Sequence, residues 1–572
     1  MTTCLLLVLV LAKAFALAGH QVAASWWSPF VYIWQDALVA ALFGIAERWL
    51  AGRRVVLWTL YAVAVAYVAV NVTVSRVLAT PLTWAMLHAA RGALADSIAR
   101  YLTWSHLTPL VLVLAAGAAA PLVVRRVPSR ATIAVLAAWT IVGWIGRGCV
   151  ETTGLERNAW LTLLTTAMPR VSGVAPDVHA AAAPSGSGRD DQLERWRGAA
   201  RGYNIVLISL ESTASQYLGL YGAVPDPMPN LSALARHGIV YDAAYAAYPE
   251  SIKGLFSILC STFPALDVDA DAYATVPCTS IAAALAAAGY RTGLFHSGRF
   301  DYLGMNAVIR GRGFGTLEDA GDIGGRRYSS FGVDEPSAVA RMVDWIDGGR
   351  AGHPFFITYL PIAGHHPYES PGGPFPDDDD FGRYRNALRY GDESLGALMR
   401  AIRDRGLEER TLWIVLGDHG EAFNQHDGNV GHTFQLYEEN VRVPFVIAAP
   451  GLIPAPIRRS GVISLVDTSP TVLDLVGLAA PTAYQGRSAL AGGSPRARFF
   501  TDYSLPLVGL RQDRWKFVAD LDTGRARLFD LLADPGERVN VADRHPQEAR
   551  RFADDLRQWA AAQKDRIARA AH

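Results

Sequence analysis

The sequence predicts an α/β domain with a mostly parallel sheet, carried behind a helical membrane anchor. Three observations predict it. Apolar stretches crowd the first 150 residues. From Asn204 onward, short apolar runs alternate with helical stretches. Four of those runs end on Glu, His or Asp-His. The 572 residues exceed one ordinary domain. A formal net charge of +0 gives no global field that favours nucleic acid.

The anchor comes first. Five apolar stretches stand out, at Cys4–Ala18, Phe30–Ala46, Val55–Val74, Leu107–Val124 and Ala131–Ile145. A helix needs about 20 residues to cross the hydrocarbon, which the middle three fit best. The first stretch has neither the basic start nor the small-residue cleavage site of a signal peptide, so it reads as a retained helix. Five spans are therefore expected. Pro81–Trp104 reads as an amphipathic segment at the membrane surface. Arg53 and Arg54 follow the second span, and Arg125, Arg126 and Arg130 follow the fourth. Such charges mark cytoplasmic loops, so the chain beyond residue 150 is expected outside. Asp36 sits near a helix end and reads as an interfacial residue.

Gly173–Gly202 reads as a flexible linker, rich in Ala, Ser and Gly and then in charge. Strands follow. Asn204–Leu210 ends at Glu211, Arg291–Phe295 at His296, and Thr411–Leu416 just before Asp418-His419. Pro354–Leu360 leads to His365, and Val443–Ala448 precedes Pro450. Helical patterns at Ser280–Ala288, Val333–Asp347 and Arg383–Arg405 lie between them. Strands separated by helices indicate a doubly wound, mostly parallel sheet. In such a sheet the strand ends share one edge, where ligands sit. Cys260 and Cys278 fall in this outer part, where an exported location permits a disulfide; two free buried thiols are the other reading.

A gathering of Glu, Asp and His supplies oxygen and nitrogen ligands. It suits a divalent metal, zinc or manganese ahead of magnesium or calcium. A metal there polarises a phosphoryl or sulfuryl oxygen and activates a bound hydroxyl. Ser212, Thr213, Ser251 and Ser257 are all available hydroxyls, and the residues alone do not choose between them.

From Asn204 to about Asp543 the chain resembles the sulfatase branch of the alkaline phosphatase superfamily. The segments that carry this are Asn204–Ser212, Leu218–Gly222, Pro229–Leu231, Gly417–Glu421, Gly431-His432, Tyr437–Glu439 and Arg442–Pro444. Ser464–Leu475, Trp515–Phe517, Leu528–Leu531, Asp534-Pro535, Glu537 and Asn540 resemble the sulfatase ending. The anchor with an external domain resembles lipoteichoic acid synthases and phosphoethanolamine transferases. The resemblance implies an alkaline-phosphatase-like sheet with a small C-terminal sulfatase-like subdomain. It implies metal ligands Glu211, Asp418, His419 and Ser251, with Ser251 as nucleophile at a helix start. It implies substrate-side roles for His296, His365, His432 and Lys253, and leaves His366 and His426 as bystanders. Sulfatases make formylglycine in a Cys/Ser-x-Pro/Ala-x-Arg motif. Here Lys253 and Leu255 occupy the Pro/Ala and Arg places, which implies an unmodified Ser251.

The expected organisation is an anchor over 1–150, a connecting helix and linker over 151–202, a catalytic domain over 203–495 and a C-terminal subdomain with a final helix over 496–572. The expected function is metal-dependent transfer or hydrolysis of a phosphate ester through a covalent Ser251 intermediate. The substrate would be lipid-linked or a glycan, on the outer face of a bacterial inner membrane. The alternatives are a sulfatase and, in another class, an inactive binding or sensing protein.

Overall fold

The computed structural model describes residues 1–89, 95–124, 129–169, 191–326, 331–350, 352–492 and 496–571. The large domain is built on β1 (Asn204–Leu210), β2 (Gly238–Tyr245), β3 (Arg291–His296), β4 (Thr316–Glu318), β5 (Phe355–Leu360) and β6 (Thr411–Gly417). A short ribbon, β7 (Ala422–Phe423) and β8 (Val430–Gly431), follows β6. Then come β9 (Arg442–Val443), β10 (Phe445–Ala448) and β11 (Ile457–Ser464). The main sheet runs β11-β2-β10-β6-β1-β5-β3-β4, with β9 paired to β2. β6, β1, β5, β3 and β4 are mutually parallel, while β10 is antiparallel to both its neighbours.

β1 shows why the sheet is central. All seven of its residues are buried. Ile205 and Leu207 pack into one apolar core, and Val206, Ile208 and Leu210 into another on the opposite face. A strand covered on both faces must be apolar throughout, as this one is. Helix Ser251–Cys260 lies on the first face. Helices Glu335–Asp347 and Asp380–Asp404 lie on the second. Cys260 is disulfide-bonded to Cys278, which fixes the far end of the first of these helices.

The C-terminal part is an antiparallel sheet of β12 (Ala497–Thr501), β13 (Leu507–Gln512), β14 (Trp515–Asp520) and β15 (Ala526–Asp530), covered by helix Pro546–Ala571. Lys516 of β14 is fully buried between Glu438 at 3.1 Å and Glu537 at 2.9 Å, joining this sheet to the main domain.

Among the described residues, four N-terminal helices are long and apolar enough to cross a membrane: Ser28–Trp49, Arg54–Leu78, Trp104–Val123 and Arg130–Cys149. The expectation of five is corrected by length. Thr2–Leu17 has 16 residues, about 24 Å of helix against a hydrocarbon layer of about 30 Å. It packs within the bundle through Cys4, Leu5, Val8 and Leu9. Asp36 is buried, 3.4 Å from Lys13, and accepts from Asn158 at 2.6 Å. Arg125, Arg126 and most of the expected linker lie outside the described residues. The anchor docks on the domain through Arg157 to Ser504 at 2.8 Å and Gln21 N–H to Asp427 at 2.7 Å.

Candidate active site

Two parallel strand ends and one helix start meet at the β1 edge. β1 delivers Glu211, and β6 delivers Asp418 and His419. Helix Ser251–Cys260 delivers Ser251 in its first turn. The Ser251 hydroxyl donates to Glu211 Oε2 at 2.8 Å and lies 3.2 Å from His419 Nε2. His419 Nε2 is 3.4 Å from Glu211 Oε1 and 3.6 Å from Asp418 Oδ2. The helix cap is Glu250, whose carboxylate accepts from the N–H groups of Ile252 and Lys253. Ser251 is thereby spared capping duty and its hydroxyl turns to the cluster.

The donors fit a divalent cation. Glu211, Asp418 and His419 each offer one ligand atom, all within 4.8 Å of one another. His419 Nδ1 donates to Gly420 O at 3.0 Å, which leaves Nε2 as the ligand nitrogen. Burial pulls the His419 imidazole down, yet Asp418 and Glu211 push it up to about 10. Burial and the neighbouring Glu211 charge push Asp418 up to about 7. Two buried carboxylates thus hold a proton on the imidazole to balance their charge, a balance that a divalent cation supplies better.

Around this cluster lie three histidines, each with Nδ1 anchored. His296 Nδ1 meets Leu360 O at 2.8 Å, and His365 Nδ1 meets His366 O at 2.6 Å. Burial lowers both below the ordinary imidazole value, so both are neutral near pH 7. His432 Nδ1 is 2.7 Å from Glu421 Oε2, and its ring stacks on His419 at 4.2 Å. The other Glu421 oxygen accepts from the Tyr368 hydroxyl at 2.6 Å. Burial raises Glu421, but His432 and Tyr368 more than offset this and hold it below its usual value. Glu421 therefore fixes His432 with Nε2 free for a reacting oxygen.

Ser251, His296, His365 and His432 all line one cavity of about 520 Å³. Lys253 does not line it. Its ammonium is 3.3 Å from Asp502 and 4.5 Å above the Tyr248 ring. His366, expected as a bystander, lines the cavity and stacks on Tyr101 with centroids 5.8 Å apart. His426 is held by Glu439 at 2.7 Å, away from the cavity. Sequence reasoning passed over Glu421, Tyr368 and Asp502. Only Glu421 carried a signal, as an acid three residues after Asp418; the other two become partners through folding alone.

The sulfatase family model matches residues 203–478. This is a sulfatase-family domain. Such a domain supports an enzyme, and Glu211, Asp418 and His419 could hold a metal ion. A second model, the C-terminal part of N-sulphoglucosamine sulphohydrolase, matches residues 432–562. The sulfatase domain is similar to bovine arylsulfatase K, with 25% identity over 473 residues, 66% of this chain and 85% of that protein. Mouse arylsulfatase K is 31% identical over 175 residues, 27% of this chain, so that match spans about a third (31%) of the relative. Among solved structures, an alkaline phosphatase superfamily protein from Vibrio parahaemolyticus aligns with a TM-score of 0.53 at 20% identity, over 67% of this chain and 98% of its own. A protein solved with its substrate D-glucosamine-2-N,6-O-disulfate aligns with a TM-score of 0.53 at 16% identity, over 64% of this chain and 99% of its own. These structures share the fold.

Proposed function

We propose that the chain is a membrane-anchored enzyme that cleaves or transfers a phosphate ester through a covalent intermediate on Ser251. The observation that carries this is the Ser251 hydroxyl, set between Glu211 and His419 at a helix start. Conversion of Ser251 to formylglycine lacks its usual context. Lys253 is engaged by Asp502, and Leu255 is packed into the core at 2% exposure. A plain hydroxyl is the nucleophile this sequence offers.

The geometry supports the following roles. Glu211, Asp418, His419 and Ser251 would hold the metal, which supplies Lewis-acid polarisation of the ester and of the serine oxygen. Glu211 lies where it can take the Ser251 proton as Oγ attacks phosphorus. His432, oriented by Glu421, can return a proton to the departing alkoxide. His296 and His365, neutral and anchored, can hydrogen-bond the non-bridging oxygens. Water or an acceptor hydroxyl, giving its proton to His432, then breaks the phosphorus–Oγ bond, and Glu211 returns its proton to Oγ to regenerate the serine. Lys253 adds positive charge one layer behind the nucleophile, screened by Asp502.

A sulfate ester is the second reading, favoured by the arylsulfatase relatives and the sulphohydrolase-type ending. Arg48, Arg53 and Arg54 lie at the end of the bundle away from the domain, since Met1 pairs with Glu47 there while Asp36 and Asn158 meet at the domain end. That charge asymmetry favours a domain outside a bacterial inner membrane.

Mass spectrometry of the Ser251 peptide decides between the readings. A phosphate adduct after incubation with a 4-nitrophenyl phosphodiester supports ours. Formylglycine at residue 251, with turnover of 4-nitrophenyl sulfate and not of the phosphodiester, overturns it.

A further inference from the structure

The cavity over Ser251 does not stop at the catalytic domain. Val70, Val74 and Val77 of helix Arg54–Leu78 line it, as does Leu110 of helix Trp104–Val123. Ile98 and Leu102, between those helices, line it too. Val70 lies eight residues before the helix end at Leu78, about 12 Å along the axis, so the cavity reaches two turns into the spanning region. Among the described residues of 70–110, none that lines it is charged. The charged lining groups Glu211, Glu250, Arg299, Asp380 and Glu421 all come from the catalytic domain. One end is thus made for an ester and the other for hydrocarbon.

The apolar end also opens sideways. Val70 is 48% exposed, Ile98 47% and Leu102 62%, although all three line the cavity. Exposed Trp84 and Trp104 lie two residues from the lining residues Met86 and Leu102, and tryptophan favours the boundary between headgroups and hydrocarbon. Thr73 donates to His106 O at 2.9 Å and Tyr61 to Gly117 O at 2.8 Å, so the two helices are pinned together and form a fixed wall.

We infer that this wall is a binding site for the aliphatic chain of a membrane amphiphile, admitted laterally from the bilayer with its ester head at Ser251. The head-group end rests on the reading of Ser251 as nucleophile; the tail site stands on the anchor residues alone. A soluble glycan ester would leave the apolar trough without a partner. An apolar chain fills it and removes both surfaces from water, and each buried methylene adds to affinity.

The test uses the full chain in nanodiscs of phosphatidylglycerol and phosphatidylethanolamine. Native mass spectrometry after release is expected to show one retained phospholipid on the wild type and on Ser251→Ala. Val74→Trp and, as a separate variant, Leu110→Trp fill the trough and are expected to lose it. In parallel, kcat/KM is compared for 4-nitrophenyl phosphodiesters with a methyl or a hexadecyl second ester. The hexadecyl-to-methyl ratio is expected to fall about tenfold or more in both filled variants. Wild type that retains no lipid overturns the tail site, as does an unchanged ratio in a filled variant that elutes as wild type. If Ser251→Ala still turns over substrate, the nucleophile reading falls while lipid retention continues to judge the tail site by itself.

Discussion

His432 presents one ring nitrogen to the cavity because Glu421 holds the other at 2.7 Å, and Tyr368 holds Glu421. Both Glu421 oxygens are engaged, by His432 and Tyr368, so the role proposed for it is to position His432. Glu421→Gln keeps the shape but loses the charge that fixes the tautomer. It is expected to lower kcat about 10–100-fold, with bound metal unchanged by elemental analysis. Unchanged kcat would remove His432 from the mechanism. His366 gives a second prediction. Burial lowers its imidazole to about 4, against 6.5 for the free group. A lowered histidine makes the folded state bind fewer protons than the unfolded one. Its stability contribution is complete above pH 6.5 and is lost as pH falls towards 4, by on the order of 2–3 kcal/mol at most. Denaturant midpoints measured from pH 7 to 4.5 should fall, and less steeply in His366→Gln. An identical slope would show that His366 does not titrate with folding. Both residues show why some of the site was illegible. Asp418, His419 and Ser251 sit in local patterns that a sequence displays. The Glu421–Tyr368 and His366–Tyr101 contacts join residues 53 and 265 positions apart, and nothing local announces them.

At the scale of elements, legibility followed burial. β1, β3, β5 and β6 are continuous apolar runs because helices cover both sheet faces, and their ends were placed to within a residue. β2 and β11 were missed. β11 reads Ile-Arg-Arg-Ser-Gly-Val-Ile-Ser and is mostly unburied, as an edge strand with one solvated side. Its pattern carries too little apolar signal to separate it from a loop. The anchor erred in the other direction, because hydropathy marks Thr2–Leu17 as apolar without saying that it is too short. The helix carrying Ser251 is held at its far end by Cys260–Cys278, which closes an 18-residue separation. Breaking that link frees the unfolded chain and should cost about 2–4 kcal/mol in stability. Cys260→Ser with Cys278→Ser should lower the urea midpoint without abolishing phosphodiester turnover. An unchanged midpoint would mean that the helix is held by its apolar face alone.

Across the whole molecule, three parts converge on a few buried charges. Lys516 carries the C-terminal sheet into a pocket between Glu438 and Glu537. Lys13 and Asp36 do the same where the anchor meets Asn158. At the strand edge, Glu211 and Asp418 face each other across a single imidazole. The first two clusters bring their own cation, so removing it leaves carboxylates buried and unpaired; Lys516→Met is expected to cost about 3–5 kcal/mol. The third cluster has two carboxylates and only a titratable partner, which makes it the place where an external cation links to folding. A metal at a thousandfold excess over its dissociation constant adds about 4 kcal/mol to stability. Chelation should therefore lower the apparent melting temperature as well as stop turnover, and zinc or manganese should restore both. Ser251→Ala keeps Glu211, Asp418 and His419, so it should lose turnover while its melting temperature still responds to chelator and metal. Asp418→Asn should lose both responses. If chelation leaves the melting temperature of the wild type untouched, the cluster balances its own charge with the His419 proton and the metal reading of this edge is wrong.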